Sequence, residues 1–413
     1  MYRPEDFVLD NARIVSPADE NISELLSILV EHGEITEIAA RIDRPGVERF
    51  DLDGGHVTPG LIDCHVHPFL ADTNLARLSE VPPTLMTARA TRILERMLMR
   101  GFTTIRDAAG GDWGIKQAVE DDLIIGPRMF IAGRALSQTG GHGDFRSLTD
   151  DNDVCHCKHA LAFTARIADG IDDVRKAVRE ELRKGADQIK IMVSGGVSSP
   201  HDPLERNQYS PDEISVIVEE AERRGTYVMA HAYGADAIRV ALECGVRSIE
   251  HGNLIDEETA SLAAEKGAYL VPTLTTYDVL ADTASASGWS DEMLAKLDRV
   301  RSAGMESIRI CRRAGVKIGF GTDLLGDSFD EQSREFGIRS RGESVAQILE
   351  SATLVNAEIL RMKDRLGVVK AGAIADLLVL AGNPLDDVNV LLGQGRHIDM
   401  VIKAGGIYKN MLS

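Results

Sequence analysis

The chain has 413 residues, 44% of them hydrophobic and 27% charged, with a formal net charge of -19. This length suits one large domain with a smaller one attached, and the composition is that of a folded globular chain, not a disordered one. The negative charge argues against binding to a phosphate backbone, and no run of about 18 apolar residues is available to span a bilayer, so neither nucleic acid nor membrane is expected as a partner.

The amino-terminal stretch MYRPEDFVLD lacks a basic segment followed by an apolar one, so a cytoplasmic location is expected. Residues 7 to 57 carry FVLDNARIV, ELLSILVEHGEITEIA and VERFDLDG, alternating segments broken by Gly, Asp and Pro that predict strands and hairpins. GAIADLLVLAGNPL and HIDMVIKAGGIYKN at the other end have the same style. Residues 1–57 and 365–413 are therefore expected to form one small β-sandwich domain from both chain ends.

Residues 58–364 alternate short apolar runs with helical stretches. The runs are VTPGLIDCHVH, FTTIRDA, RMFIAGR, QIKIMVSGG, TYVMAHA, VRSIEHG, AYLVPTL and VKIGFGTD, with ISVIVEEAERRG and MESIRICRRAG among the helices between them. Eight strands buried on both faces and followed by helices predict an α/β fold, a (β/α)8 TIM-like barrel. A doubly wound sheet is the alternative, but its Gly-rich fingerprint is missing after the first strand.

The five cysteines, Cys64, Cys155, Cys157, Cys244 and Cys311, form no repeated framework and fit a reducing compartment. Cys155-His156-Cys157 with His159 has no second ligand pair of zinc-finger type and reads as an exposed loop.

His65 and His67 stand two apart at the end of the first barrel strand, so their side chains project to one face and can reach one metal. Polar packing would explain such a pair equally well, but the carboxyl ends of barrel strands are where active sites gather. His231 ends the fifth strand, His251 the sixth, and Asp323 the eighth. Asp323 alone could be a helix cap; four histidines and a carboxylate at one barrel mouth point to a metal site.

Lys190 lies between Ile189 and Ile191 on the fourth strand with no sequence-local partner. Burial lowers a lysine pKa, and a neutral amine can take up CO2 to become a carbamate, a carboxylate-like ligand able to bridge two metals. A lysine ion-paired inside the barrel is the competing explanation.

With these motifs in order, the chain resembles the amidohydrolase superfamily, in particular its binuclear zinc members with a carboxylated lysine. PGLIDCHVH, the Lys190 strand, HAYG, EHGN, GTD and GAIADLLVLAGNPL carry the resemblance, which covers essentially the whole chain. GRALSQTGGHGD, ADQIKIMVSGGV and MAHAYG are similar to the prolidase-like and carboxypeptidase-like dipeptidase group, which also includes ochratoxin-hydrolysing enzymes.

The resemblance implies two divalent metal ions, zinc in the relatives: His65, His67 and Asp323 on one, His231 and His251 on the other, and Lys190 carboxylated by CO2 as the bridge. It implies a metal-bridging hydroxide as nucleophile, Asp323 as ligand and general acid/base, His142 and Tyr233 at the substrate carbonyl, and a homo-oligomer. Arg146, Arg206, Tyr209 and Tyr277 lie on loops after the strands, where either arginine could hold a terminal carboxylate. SGGVSSPHDP could be a movable lid or a static loop.

The expected reaction is hydrolysis of a C-terminal peptide or N-acyl amino-acid amide in a small substrate, as in an Xaa-Pro dipeptidase. An ochratoxin A-type amide and a cyclic amide are alternatives. A deaminase commonly uses one metal without a bridging lysine, so Lys190 argues against it. A non-catalytic scaffold usually loses ligands, and the full set is present here.

Overall fold

A computed structural model describes residues 2, 4–70, 81–149, 165–199, 202–283 and 289–412. Eight parallel strands form the barrel: Leu61–Val66, Phe102–Asp107, Arg128–Ile131, Ile189–Met192, Val228–Gly234, Ser248–Leu254, Tyr269–Val271 and Lys317–Ile318. The ring closes through backbone hydrogen bonds where regular pairing lapses. Cys64 N–H donates to the Phe320 carbonyl at 2.8 Å, and Asp187 N–H to the Ile131 carbonyl at 2.7 Å. Asn356 ties the closing seam, donating from Nδ2 to the carbonyls of Ile62 and Phe320 while accepting from Phe320 N–H.

Local chemistry sets the element ends. Pro211–Arg223 begins in a capping box between Ser210 and Glu213, and the 24-residue helix Asp291–Ala314 stops at Gly315, whose φ of 87° suits glycine. The hairpin from Asn21–Glu31 to Glu34–Ala39 turns through His32 (φ 52°) and Gly33 (φ 81°), the left-handed pair of a type I′ turn.

Two features depart from the expected strand list. The run VTPGLIDCHVH is two strands, His56–Pro59 and Leu61–Val66, in different sheets. Gly60 makes the change of sheet possible, since a Cβ there would sit 2.1 Å from Thr103 Oγ1. Two further strands, Ala135–Ser137 and Ala165–Ile167, pair with each other, and the first joins Ile189–Met192. Three residues are too few to show a periodicity in sequence.

Both chain ends build the second sheet, in the order Gly406–Asn410, Ile398–Lys403, Leu377–Leu380, His56–Pro59, Asp6–Ser16, Asn21–Glu31 and Glu34–Ala39, with Glu48–Asp51 also pairing to Asp6–Ser16. It folds around its own apolar core as a β-sandwich. The period-two alternation of its strands fixes how it docks. Leu377, Val379, Met400 and Ile402 enter the sandwich core with Phe7, Ile28 and Val57. Leu378, Leu380 and Val401 face the other way and pack with barrel residues Leu61, Phe102, Phe320 and Phe336. Burial on both faces explains why LLVL reads as a continuous apolar run.

Candidate active site

The carboxyl ends of the strands bring the marked residues together. His65, His67 and Asp323 offer donor atoms that lie within 4.8 Å of one another. Asp323 Oδ1 is 3.5 Å from His65 Nε2 and 3.2 Å from His67 Nε2. The rings of His65 and His251 have centroids 5.0 Å apart, and those of His251 and His231 4.7 Å. Lys190 is 1% exposed, and its charge acts on His65, His231, His251 and Asp323.

Each of the four rings has one nitrogen engaged by the protein. His65 Nδ1 is 2.7 Å from Glu250 Oε2, His67 Nδ1 3.0 Å from the Ala109 carbonyl, and His251 Nδ1 2.8 Å from Thr273 Oγ1. His231 reverses the pattern, with Nε2 3.2 Å from the Gly195 carbonyl. For His65, His67 and His231 the partner is a carboxylate or carbonyl, which accepts the ring proton and leaves the other nitrogen with its lone pair, the state a metal ligand needs.

Electrostatics agree. Burial, reinforced by the Lys190 charge, pushes His65, His231 and His251 well below the ordinary histidine range, so the rings are neutral. Burial also pulls Lys190 down to about 8. For Asp323 burial acts upward, but His65, His67 and Lys190 prevail and hold the carboxyl below its usual range. A donor set of imidazoles and a carboxylate fits a divalent metal ion.

Three residues here take left-handed backbone without being glycine: His251 (φ 74°), Thr273 (φ 47°) and Asp323 (φ 51°). Such conformations cost about 1 kcal/mol or more each and gather where side chains must be aimed for function.

Beside the cluster, His142 stacks on His231 at a ring distance of 4.3 Å, and Tyr233 stacks on His251 at 5.2 Å. Tyr233 Oη is 3.1 Å from Tyr277 Oη, which donates to Asn253 Oδ1 at 3.3 Å. Burial raises both phenols, so they stay protonated and can donate. The other loop residues diverge. Arg146 grips Asp144 through two bonds of 2.8 and 2.6 Å, and Arg206 is exposed with no ion pair among the described residues. Tyr209 packs into an apolar cluster with Leu136, Val193 and Ile214. Cys155, His156, Cys157 and His159 lie outside the described residues.

Sequence reading passed over the layer behind the histidines. Glu250, fully buried, bonds His65 and receives Arg106 Nη2 at 2.8 Å; Arg106 also donates to Ser248 Oγ and the Cys64 carbonyl. Asp63 accepts from Thr322 Oγ1, Gln332 Nε2 and the His65 N–H. The signal that marked Lys190, a charged residue inside an apolar strand, was equally available for Arg106 in TTIRD and Glu250 in SIEHG.

The amidohydrolase family model matches residues 56–408. The chain belongs to the amidohydrolase family. This amidohydrolase is similar to a solved amidohydrolase structure at 51% identity and TM-score 0.96, covering 99% of this chain and all of that one. A prolidase solved with N-methylphosphonate-L-proline is 48% identical with TM-score 0.96, covering 98% of this chain and 100% of that chain. Ochratoxinase of Aspergillus niger is 33% identical over 364 residues, 85% of this chain and 75% of the relative. As a family member the protein is a hydrolase, and the family generally uses divalent metal ions.

Proposed function

We propose that this amidohydrolase cleaves the amide of a small substrate whose departing amino acid carries a free carboxylate, as an Xaa-Pro dipeptidase does. The observation that carries this reading is the set of four imidazoles, each with one nitrogen tied back by the protein, gathered around Asp323 and Lys190. The 48% identity to a prolidase over nearly the whole chain supports the dipeptide class.

In this reading His65, His67 and Asp323 would hold one divalent ion, His231 and His251 would hold a second, and Lys190, once carboxylated, would supply a further carboxylate-like ligand. When bound, such a pair supplies a water acidic enough to attack near neutral pH and a Lewis acid for the carbonyl. The protein's own groups do the rest. Asp323, ionised, accepts the proton of the attacking water and returns it to the departing nitrogen, because an amine leaves poorly unless protonated. Tyr233 and His142 flank the rings of His251 and His231, where a donor meets charge developing on the carbonyl oxygen. Arg206 is the better candidate for the carboxylate, since Arg146 would first have to release Asp144.

An ochratoxin A-type amide is the second reading, favoured by the 33% identity to ochratoxinase. Both share a carboxylate on the leaving amino acid. The deciding experiment incubates zinc-loaded enzyme with Xaa-Pro dipeptides, N-acyl amino acids, ochratoxin A and cyclic amides. Preferential cleavage of dipeptides is expected, with kcat/KM falling sharply when the carboxylate is amidated. Equal turnover of blocked and free substrates would overturn the carboxylate requirement.

A further inference from the structure

We infer that Asp202 and Gly196, in the loop after the fourth barrel strand, are positioning residues that seat the His142 ring. This rests on the proposal that His142 acts on the substrate carbonyl. Asp202 is 4% exposed, and its Oδ2 lies 3.4 Å from His142 Nδ1. That nitrogen is buried and has no hydrogen-bond partner among the described residues, and the Asp202 carboxylate faces it within reach of a small adjustment.

Both groups are anchored by the surrounding protein. The Gly196 N–H donates to Asp202 Oδ2 at 3.2 Å, and Gln208 Nε2 donates to Asp202 Oδ1 at 2.8 Å. The same Gln208 accepts the His142 backbone N–H through Oε1 at 2.9 Å. Buried Lys296, on the long helix Asp291–Ala314, donates to the carbonyls of Ser199 and Asp202 at 2.8 and 3.0 Å. One amide side chain therefore holds both partners, and a lysine from another element pins the carboxylate's backbone. A shift of half an ångström would bring the pair to full hydrogen-bond distance.

Gly196 supplies the floor. A Cβ there would fall 1.9 Å from His142 Cε1 and 2.2 Å from Nδ1, so the imidazole lies directly on the glycine backbone, with His231 stacked 4.3 Å from it. No larger residue leaves the ring in place. The described residues Gly196 and Asp202 of SGGVSSPHDP thus form a cradle for a side chain contributed by a different loop.

The test is a double-mutant cycle on the zinc-loaded enzyme with a cleaved dipeptide. Asp202→Asn should lower kcat/KM about tenfold or more, mostly in kcat, with metal content unchanged. Gly196→Ala should lose a similar factor. In the His142→Ala background both substitutions should have little further effect, because each works only through the ring. Additive losses, or a loss of bound metal in Asp202→Asn, would show a structural role and overturn the inference while leaving the proposed role of His142 intact. Near-native turnover by His142→Ala alone would overturn that role, and this inference with it.

Discussion

His65 Nδ1 lies 2.7 Å from Glu250 Oε2, and the other oxygen of that carboxylate receives Arg106. The glutamate orients the ring and fixes its proton on Nδ1, so Nε2 is free on the side where Asp323 stands. Because Glu250 immediately precedes His251, one strand supplies both a candidate ligand and the group that aims another ligand from across the barrel.

Glu250→Gln should weaken metal binding by about 10- to 100-fold, the range for loss of a partner behind a ligating histidine. Chelator competition measures it directly. The substitution also leaves Arg106 without its counter-ion, so a lower melting temperature is expected alongside. Unaltered zinc retention would remove Glu250 from the metal-binding apparatus.

Asp323→Asn should fold, since the side chain caps no helix and its backbone N–H already bonds the His65 carbonyl at 2.8 Å. Turnover should fall about 10² to 10⁴-fold, because an amide cannot carry the proton from water to leaving nitrogen. Single-turnover kinetics at matched metal content separates this from metal loss. Near-native rates would reassign the proton transfer to another group.

The barrel was legible because its strands are buried on both faces and read as apolar runs, and because the histidines at their ends interrupt those runs. Asp323 was visible for the same reason, at the end of VKIGFGTD. What stayed hidden depends on distance across the ring. Arg106 and Glu250 are 144 residues apart, and His142 and Asp202 lie on separate loops, so no local spacing links them. Tyr209 looked available in sequence because its cluster with Leu136 and Val193 is assembled only by folding, whereas the partner of Arg146, Asp144, stands two residues away and was legible.

Glu335 tests the same physics away from the metal site. Burial pushes its carboxyl up to about 7, although Arg339 and the Thr275 N–H pull the other way, and its Oε1 is buried without a hydrogen bond. A raised folded-state pKa contributes stability below the unfolded value, near 4.5, that is lost as pH rises to about 7. Glu335→Gln removes this dependence. Wild type should therefore lose up to about 3 kcal/mol relative to the variant between pH 4.5 and 8. Denaturant unfolding across that range checks it, and parallel stability curves would show that Glu335 remains ionised throughout.

Lys190 is the most consequential single position, because burial lowers its amine to a pKa of about 8, on a strand paired directly with the one that carries His231. An unmodified ammonium would repel any metal held by the surrounding histidines; a carbamate would supply two oxygens and a negative charge instead. Lys190→Ala should lose bound metal and activity together. A small carboxylate such as acetate or propionate, added with zinc, should enter the vacated space and restore part of both, though well short of wild type, because a free ligand must be captured and oriented while the lysine arm is already in place. Formamide or ethanol at the same concentration should not rescue. An alanine variant with wild-type zinc content and turnover in the absence of any added acid would refute the bridge and leave Lys190 as a buried ion-pair partner of Glu250 and Asp323.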